Sequence, residues 1–289
     1  MSSERPEWER LYKLPPDPLS QYQPLVEESW LKGIETQFDG TLVNSVPGAI
    51  GLLVDAGAVG VTVGHDGQTH ISIDRITNNS ARLRPLSYLH HTRCFRALDR
   101  MQVLAGRGDA QRNTLRSRLT EFGLPHAPDS DLFPTKLGIS CLIAEGTPRD
   151  IRRILTTMRS KDMSLYAGMR HTSFSGGADT AEAEPAGQTL NDVLARAAGR
   201  ECEEELALSF PPEKIRILGV WRDLERLSAQ AFGILYVDDL DALAPQTGGE
   251  LTSFRKEPPQ RGFLRRLSGS SNESPELRFM RRLIASKQA

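Results

Sequence analysis

Arg200-Glu201-Cys202-Glu203-Glu204-Glu205-Leu206-Ala207-Leu208 is the stretch that decides how this chain folds, because it concentrates acids where a helix should bury carbon. Upstream, Leu190, Val193, Leu194 and Ala197 fall at helical spacing and define an apolar stripe. At about 100° per residue, Glu201, Glu204 and Glu205 continue that stripe, and Glu203 alone points away. Carboxylates turned to the packed side of a helix repel one another and resist desolvation unless a cation neutralises them. A divalent ion is the simplest neutraliser. An all-carboxylate trio suits a hard cation, Mg²⁺ or Mn²⁺, better than zinc. Magnesium is commonly shared with substrate phosphates, which points to a phosphate ester or anhydride as substrate. The competing reading is a solvated face, where charge runs usually lie. The continuation of the apolar stripe weighs against it.

The run from Arg200 to Leu208 resembles the C-terminal half of the Nudix box, R-E-U-x-E-E-x-G-U with U aliphatic. Ala207 stands in the place of the box Gly, and Cys202 takes the first aliphatic place. Asp192 lies eight residues before Arg200, where the family usually has Glu. Further upstream, Ser175-Gly176-Gly177 resembles the Gly-Gly that opens the box. Gly177 to Asp192 spans fifteen positions where the family pattern has six, so Ala178 to Gln188 reads as an insertion in the loop before the helix. Ala186 sits in the literal register of the Gly, but a Gly-Gly following a strand is the better candidate.

The flanks carry the same resemblance. Lys136 to Ala144 reads as a buried strand, and Ile154 to Arg159 as a second, entering Ser160-Lys161-Asp162. After the box, Ile215 to Val220 and Ala231 to Val237 read as two strands separated by a polar turn with Arg222, Asp223, Glu225 and Arg226. Gly249 to Phe254 resembles the Glu-plus-aromatic element that precedes the last strand of the fold. Ser274-Pro275-Glu276 has the signature of a helix start leading into Leu277 to Ala285. The resemblance covers residues 135–289 and implies an α/β fold, a Nudix-type α/β/α sandwich with a mixed sheet.

Residues 1–134 read as a preceding α+β region. Trp30, Leu31 and Ile34 suggest a short amphipathic helix. Val59, Val61 and Val63 alternate towards Asp66-Gly67, and Ile71 and Ile73 alternate away from it, as in a hairpin. The segment from Phe38-Asp39-Gly40-Thr41-Leu42 to Leu86-Ser87-Tyr88 resembles the N-terminal region of UDP-sugar diphosphatase-like Nudix proteins.

Composition narrows the partners. Lys plus Arg number 36 against 37 acids, so no global attraction to nucleic acid or a membrane surface is expected. Basic residues gather only near the C-terminus, at Arg261, Arg265, Arg266, Arg278, Arg281 and Arg282, where a solvated helix and linker is the favoured reading. Cys94, Cys141 and Cys202 have no zinc spacing and fit a reducing compartment. With no long apolar run and no signal-peptide pattern, the expectation is a soluble, cytoplasmic protein. Lys256 to Asn272, with Pro258-Pro259 and a Ser-Gly-Ser-Ser run, reads as a flexible connector. Neither G-x-S-x-G nor G-x-x-x-x-G-K-[ST] occurs. Among the histidines, His90-His91 and His171 come into question, and His171 reads chiefly as a strand residue.

What the resemblance implies is a Mg²⁺-dependent (or Mn²⁺-dependent) hydrolase that cleaves the diphosphate of a nucleoside diphosphate linked to another moiety. Glu201, Glu204 and Glu205 would bind the metal, and Glu201 would also serve as general base. Arg200, at i,i+4 from Glu204, would orient that carboxylate. Arg159, at a strand end, would contact phosphate, with Gly176 and Gly177 lining the substrate. The expected partner is a small-molecule nucleotide; the oligomeric state is left open. The alternative is a Nudix-like nucleotide-binding or sensor module without turnover, which the long insertion and Ala207 favour.

Overall fold

The computed structural model describes residues 21–43, 69–97, 135–161, 166–246, 251–257 and 272–288. Strand β5 (Leu137–Thr147) is buried along its first nine residues, and β6 (Asp150–Arg159) returns beside it. Such a continuous buried, largely apolar run belongs to a central strand covered on both faces. The short strands β7 (Arg170–His171) and β8 (Phe174–Gly177) pair with β6 and β5 respectively. After the box come β9 (Ile215–Asp223), β10 (Ser228–Val237) and β11 (Leu251–Glu257). Together with β1 (Tyr22–Glu27) they form one sheet ordered β1-β9-β10-β5-β6-β11. Among the described strands of this sheet only the β10–β5 pair is parallel, so the sheet is mixed.

Each face of the sheet carries a helix. Helix α4 (Leu190–Leu206) buries Leu190, Val193, Leu194, Ala197 and Ala198 against a core that includes Ile139, Cys141 and Ile143. The alternate residues of β5, Leu142 and Ala144, face the other way. There they join Phe232, Ile234 and the α5 (Pro275–Gln288) residues Leu277, Phe279, Met280 and Ile284. Tyr22, Trp221, Phe232 and Phe279 meet edge-on or tilted in this second core, with ring centroids 4.6 to 5.5 Å apart. A mixed sheet between two helical layers is the expected α/β/α sandwich.

A small sheet docks on the first face. It is ordered β2 (Glu35–Phe38), β4 (Ser80–Ser87), β3 (Thr69–Ile76), with α1 (Glu28–Leu31) before β2 and α2 (Tyr88–Ala97) after β4. Ile71 N–H donates to Ala178 O at 2.9 Å, Ile73 N–H to Thr135 O at 3.0 Å, and Leu190 N–H to Ile34 O at 2.8 Å. Because β1 pairs with β9, residues on the N-terminal side of position 135 contribute to both sheets. No helix among the described residues is long and apolar enough to cross a membrane.

Several local expectations change. The first arm of the Val59 to Ile73 hairpin lies outside the described residues, as do Asp162, Gly249, Glu250, Arg261, Arg265, Arg266 and nearly all of the connector. Within the described residues β3 pairs with β4 through the turn at 77–79. Leu31 and Ile34 are buried, but Trp30 is 55% exposed. Arg222 and Asp223 belong to β9 rather than to a turn, because the hairpin reverses later, at 224–227. The segment from Ala178 to Gln188 is not a loose insertion. It contains helix α3 (Thr180–Ala183), closed by a capping box between Asp179 and Glu182 and buried at Ala178, Glu182, Ala183 and Gln188.

Candidate active site

Helix α4 starts at Thr189, whose hydroxyl accepts from Asp192 N–H while the Asp192 carboxylate accepts from Thr189 N–H. Asp192, which stands where the box usually has Glu, is therefore a capping residue roughly 12 Å along the axis from Arg200. The helix ends at Ala207, with φ 53 and ψ 32, the left-handed conformation in which a side chain is disfavoured. This geometry is the physical reason a glycine suits that box position.

Between these ends the acids divide. Glu201 and Glu205 are 8% and 9% exposed on the buried stripe, whereas the Glu204 side chain is 57% exposed. Glu204 thus departs from the expected packed arc and lies at its border. The buried pair faces β8. Ser175 N–H donates to Glu205 Oε2 at 2.8 Å, and the Glu201 carboxyl fills the space where a Cβ on Gly176 would sit. On the opposite face of β8, a Cβ on Gly177 would meet the His70 imidazole and the Lys136 chain. The two glycines therefore let side chains close on the strand from both sides.

Arg200 neutralises much of this charge. Its Nε donates to Glu182 Oε1 at 2.8 Å, Nη1 reaches Glu204 Oε2 at 2.9 Å and Glu201 Oε1 at 3.0 Å, and Nη2 donates to Gly177 O at 2.6 Å. Burial works against the guanidinium's charge, but Glu201, Glu182 and Glu204 outweigh it and raise the Arg200 pKa. Burial raises Glu201 to about 7, with Arg200 opposing and Glu204 adding to the shift.

Arg159 is buried at the end of β6, and its Nη1 donates to Ser175 Oγ at 3.4 Å, so Arg159 and Gly176 come together beside Glu201 and Glu205. His171 is 2% exposed. Its Nε2 lies 3.0 Å from Ser175 Oγ and its Nδ1 2.6 Å from Ser274 Oγ. Burial first, then Arg159 and Arg226, hold it neutral by pushing its pKa well below the usual range. Ser274 Oγ accepts from Leu277 N–H as the cap of α5 and keeps its own O–H to donate, so the two serine hydroxyls can satisfy both ring nitrogens of the neutral imidazole.

Glu182, Ser175 as a branching hydroxyl, and the His70–Tyr88–Lys136 group were not singled out by sequence as site residues. The Asp179-x-x-Glu182 spacing is a capping-box signal that could have placed α3. His70 had no local signal. Tertiary contact sets it edge-on to Tyr88 at 5.2 Å, with Lys136 Nζ 5.4 Å over the Tyr88 ring, and burial with Lys136 and Arg200 lowers its pKa to about 3.

Three carboxylates within one turn, one of them pushed up to about 7 by burial, fit a hard cation chemically. Among the described residues, however, no three His, Cys, Asp or Glu side chains already converge as a cage. Arg200 spans Glu201 and Glu204, so sharing an ion requires Glu204 to turn away from it.

No family model and no curated protein matches the chain. Among solved structures it is similar to a Nudix hydrolase from Alicyclobacillus acidocaldarius, at 18% identity over 54% of this chain and 93% of that one, TM-score 0.41. It is also similar to the Nudix domain of Shewanella oneidensis NrtR, solved with ADP ribose, at 14% identity over 59% and 98%, TM-score 0.40. A third is a bifunctional NMN adenylyltransferase/ADP ribose pyrophosphatase from Francisella tularensis with AMP and a Mn ion, at 10% identity over 60% and 46%, TM-score 0.38.

Proposed function

We propose that this chain is a Mg²⁺- or Mn²⁺-dependent hydrolase of the Nudix type, acting in the cytoplasm on a small-molecule nucleotide. It cleaves the diphosphate of a nucleoside diphosphate joined to another moiety, such as a sugar. The observation that carries this reading is the buried Glu201 carboxyl lying over Gly176, one turn from Glu204 and Glu205, with Arg159 joined to the same strand through Ser175.

Glu201, Glu204 and Glu205 would hold the ion. When bound, it supplies positive charge against the diphosphate and makes an attacking water more acidic. Glu201 accepts the proton from that water as general base. Arg159 offsets negative charge on the phosphoryl oxygens. Arg200 keeps the acid turn aligned with β8 through Gly177 O. The water oxygen bonds to one phosphorus as the bridging P–O bond breaks, leaving a nucleoside monophosphate and a phosphorylated partner.

The second reading is a nucleotide-binding module without turnover. It is favoured by Arg200, which holds Glu201 and Glu204 together as a cation would. The test is a panel of nucleotide sugars, dinucleoside polyphosphates and nucleoside triphosphates, with Mg²⁺ or Mn²⁺ and calorimetry alongside. Release of a nucleoside monophosphate that Glu201→Gln slows by on the order of a hundredfold supports the hydrolase. Nucleotide binding with no product across the panel overturns it in favour of the binding module.

A further inference from the structure

Arg222 on β9 and Gln23 on β1 are directly paired across the edge of the large sheet, so their side chains project from the same face. Arg222 is only 3% exposed, and its Nε has no hydrogen-bond partner. Gln23 Oε1 is likewise buried without a donor. On its other side Arg222 pairs with Ala229 of β10, whose methyl offers the guanidinium no polar partner. Burial alone lowers the Arg222 pKa, and no described acid offsets it.

Arg226 on the same hairpin provides the contrast. It is paired with Asp223 at 2.9 Å and also contacts Glu276 and Tyr166. A buried cation without such partners is costly, and a planar guanidinium is shaped to take two oxygens of one anion. Once the guanidinium donates to an anion's oxygens, the orphan acceptor beside it can be satisfied by an O–H on that anion. Hydrogen phosphate and singly protonated phosphate monoesters carry both features, whereas sulfate lacks the donor.

We propose that Arg222 and Gln23 form an anion site for a protonated phosphate group, with the guanidinium donating to two phosphate oxygens and Gln23 Oε1 accepting from P–OH. The site stands independently of the activity proposed for the acid helix. It is testable with inorganic phosphate on the full chain in EDTA, by calorimetry and ³¹P NMR near pH 6.5. The expected result is one phosphate per chain, bound more tightly than sulfate. Arg222→Met should weaken binding at least tenfold, whereas Arg159→Gln, which removes the other phosphate-binding candidate, should retain it. If Arg222→Met does not fold, Arg222→Lys should still weaken binding through loss of the two-pronged contact, and Gln23→Leu should abolish the preference for phosphate over sulfate. No binding by the wild-type chain, or equal affinity in every folded Arg222 and Gln23 variant, overturns the proposal.

Discussion

The carboxyl of Glu201 occupies the position that a side chain on Gly176 would need, so the acid helix and the glycine strand approach within contact of each other. An alanine at Gly176 must displace either β8 or the buried Glu201. Gly176→Ala is expected to cost about 1–3 kcal/mol, as overpacking of a close contact does. Urea denaturation measures this cost, and an unchanged midpoint contradicts the contact.

The raised Glu201 pKa makes stability depend on pH. The folded state binds this proton more tightly than the unfolded chain, so the contribution is fully present below about 4.5 and is lost as pH rises through about 7. The loss amounts to about 3 kcal/mol. Glu201→Gln should melt close to the wild type at pH 4 and above it at pH 8, in metal-free buffer. Parallel melting curves across that range would refute the burial argument.

Ala207 holds a left-handed backbone at φ 53. Ala207→Gly should relieve that strain and stabilise the fold by about 1 kcal/mol, with some of the gain offset by glycine's freedom in the unfolded chain. Thermal melting is the readout, and a destabilised variant would show that the αL cap is not a source of strain.

Glu182 is 2.8 Å from Arg200 and caps α3, so it ties the expected insertion to the acid helix. Glu182→Ala removes one of several partners of Arg200 together with the α3 cap and should cost about 1–3 kcal/mol. Deleting 180–187 should unfold the chain rather than merely alter substrate preference. A shortened protein of native stability would restore the loose-loop reading.

Much of the framework was legible in the chain. The largely apolar run Leu137 to Ala144 of β5 required a covered central strand, and the Leu190, Val193, Leu194, Ala197 stripe required a helix with one buried face. The Ser274-Pro275 start of α5 was equally plain, because capping chemistry acts within one turn. Glu201 and Glu205 followed from the helical period.

Other features depended on contacts between residues far apart in sequence. The period placed Glu204 on the buried arc, but burial at an arc's border depends on what packs against it, and the Glu204 side chain turns outward to Arg200. Composition made Ala178 to Gln188 look like a loop, yet Glu182 acquires a partner from Arg200 of α4, and Gln188 and Ala178 acquire partners from Thr36 and Ile71 once the small sheet docks. His70 reaches Gly177, and Ser274 reaches His171 across 103 positions, only through the sheet topology. Local periodicity and capping determine which segments become helix and strand. Which charges end up buried, and beside what, was decided by tertiary packing, because desolvation and ion pairing depend on the whole surrounding surface.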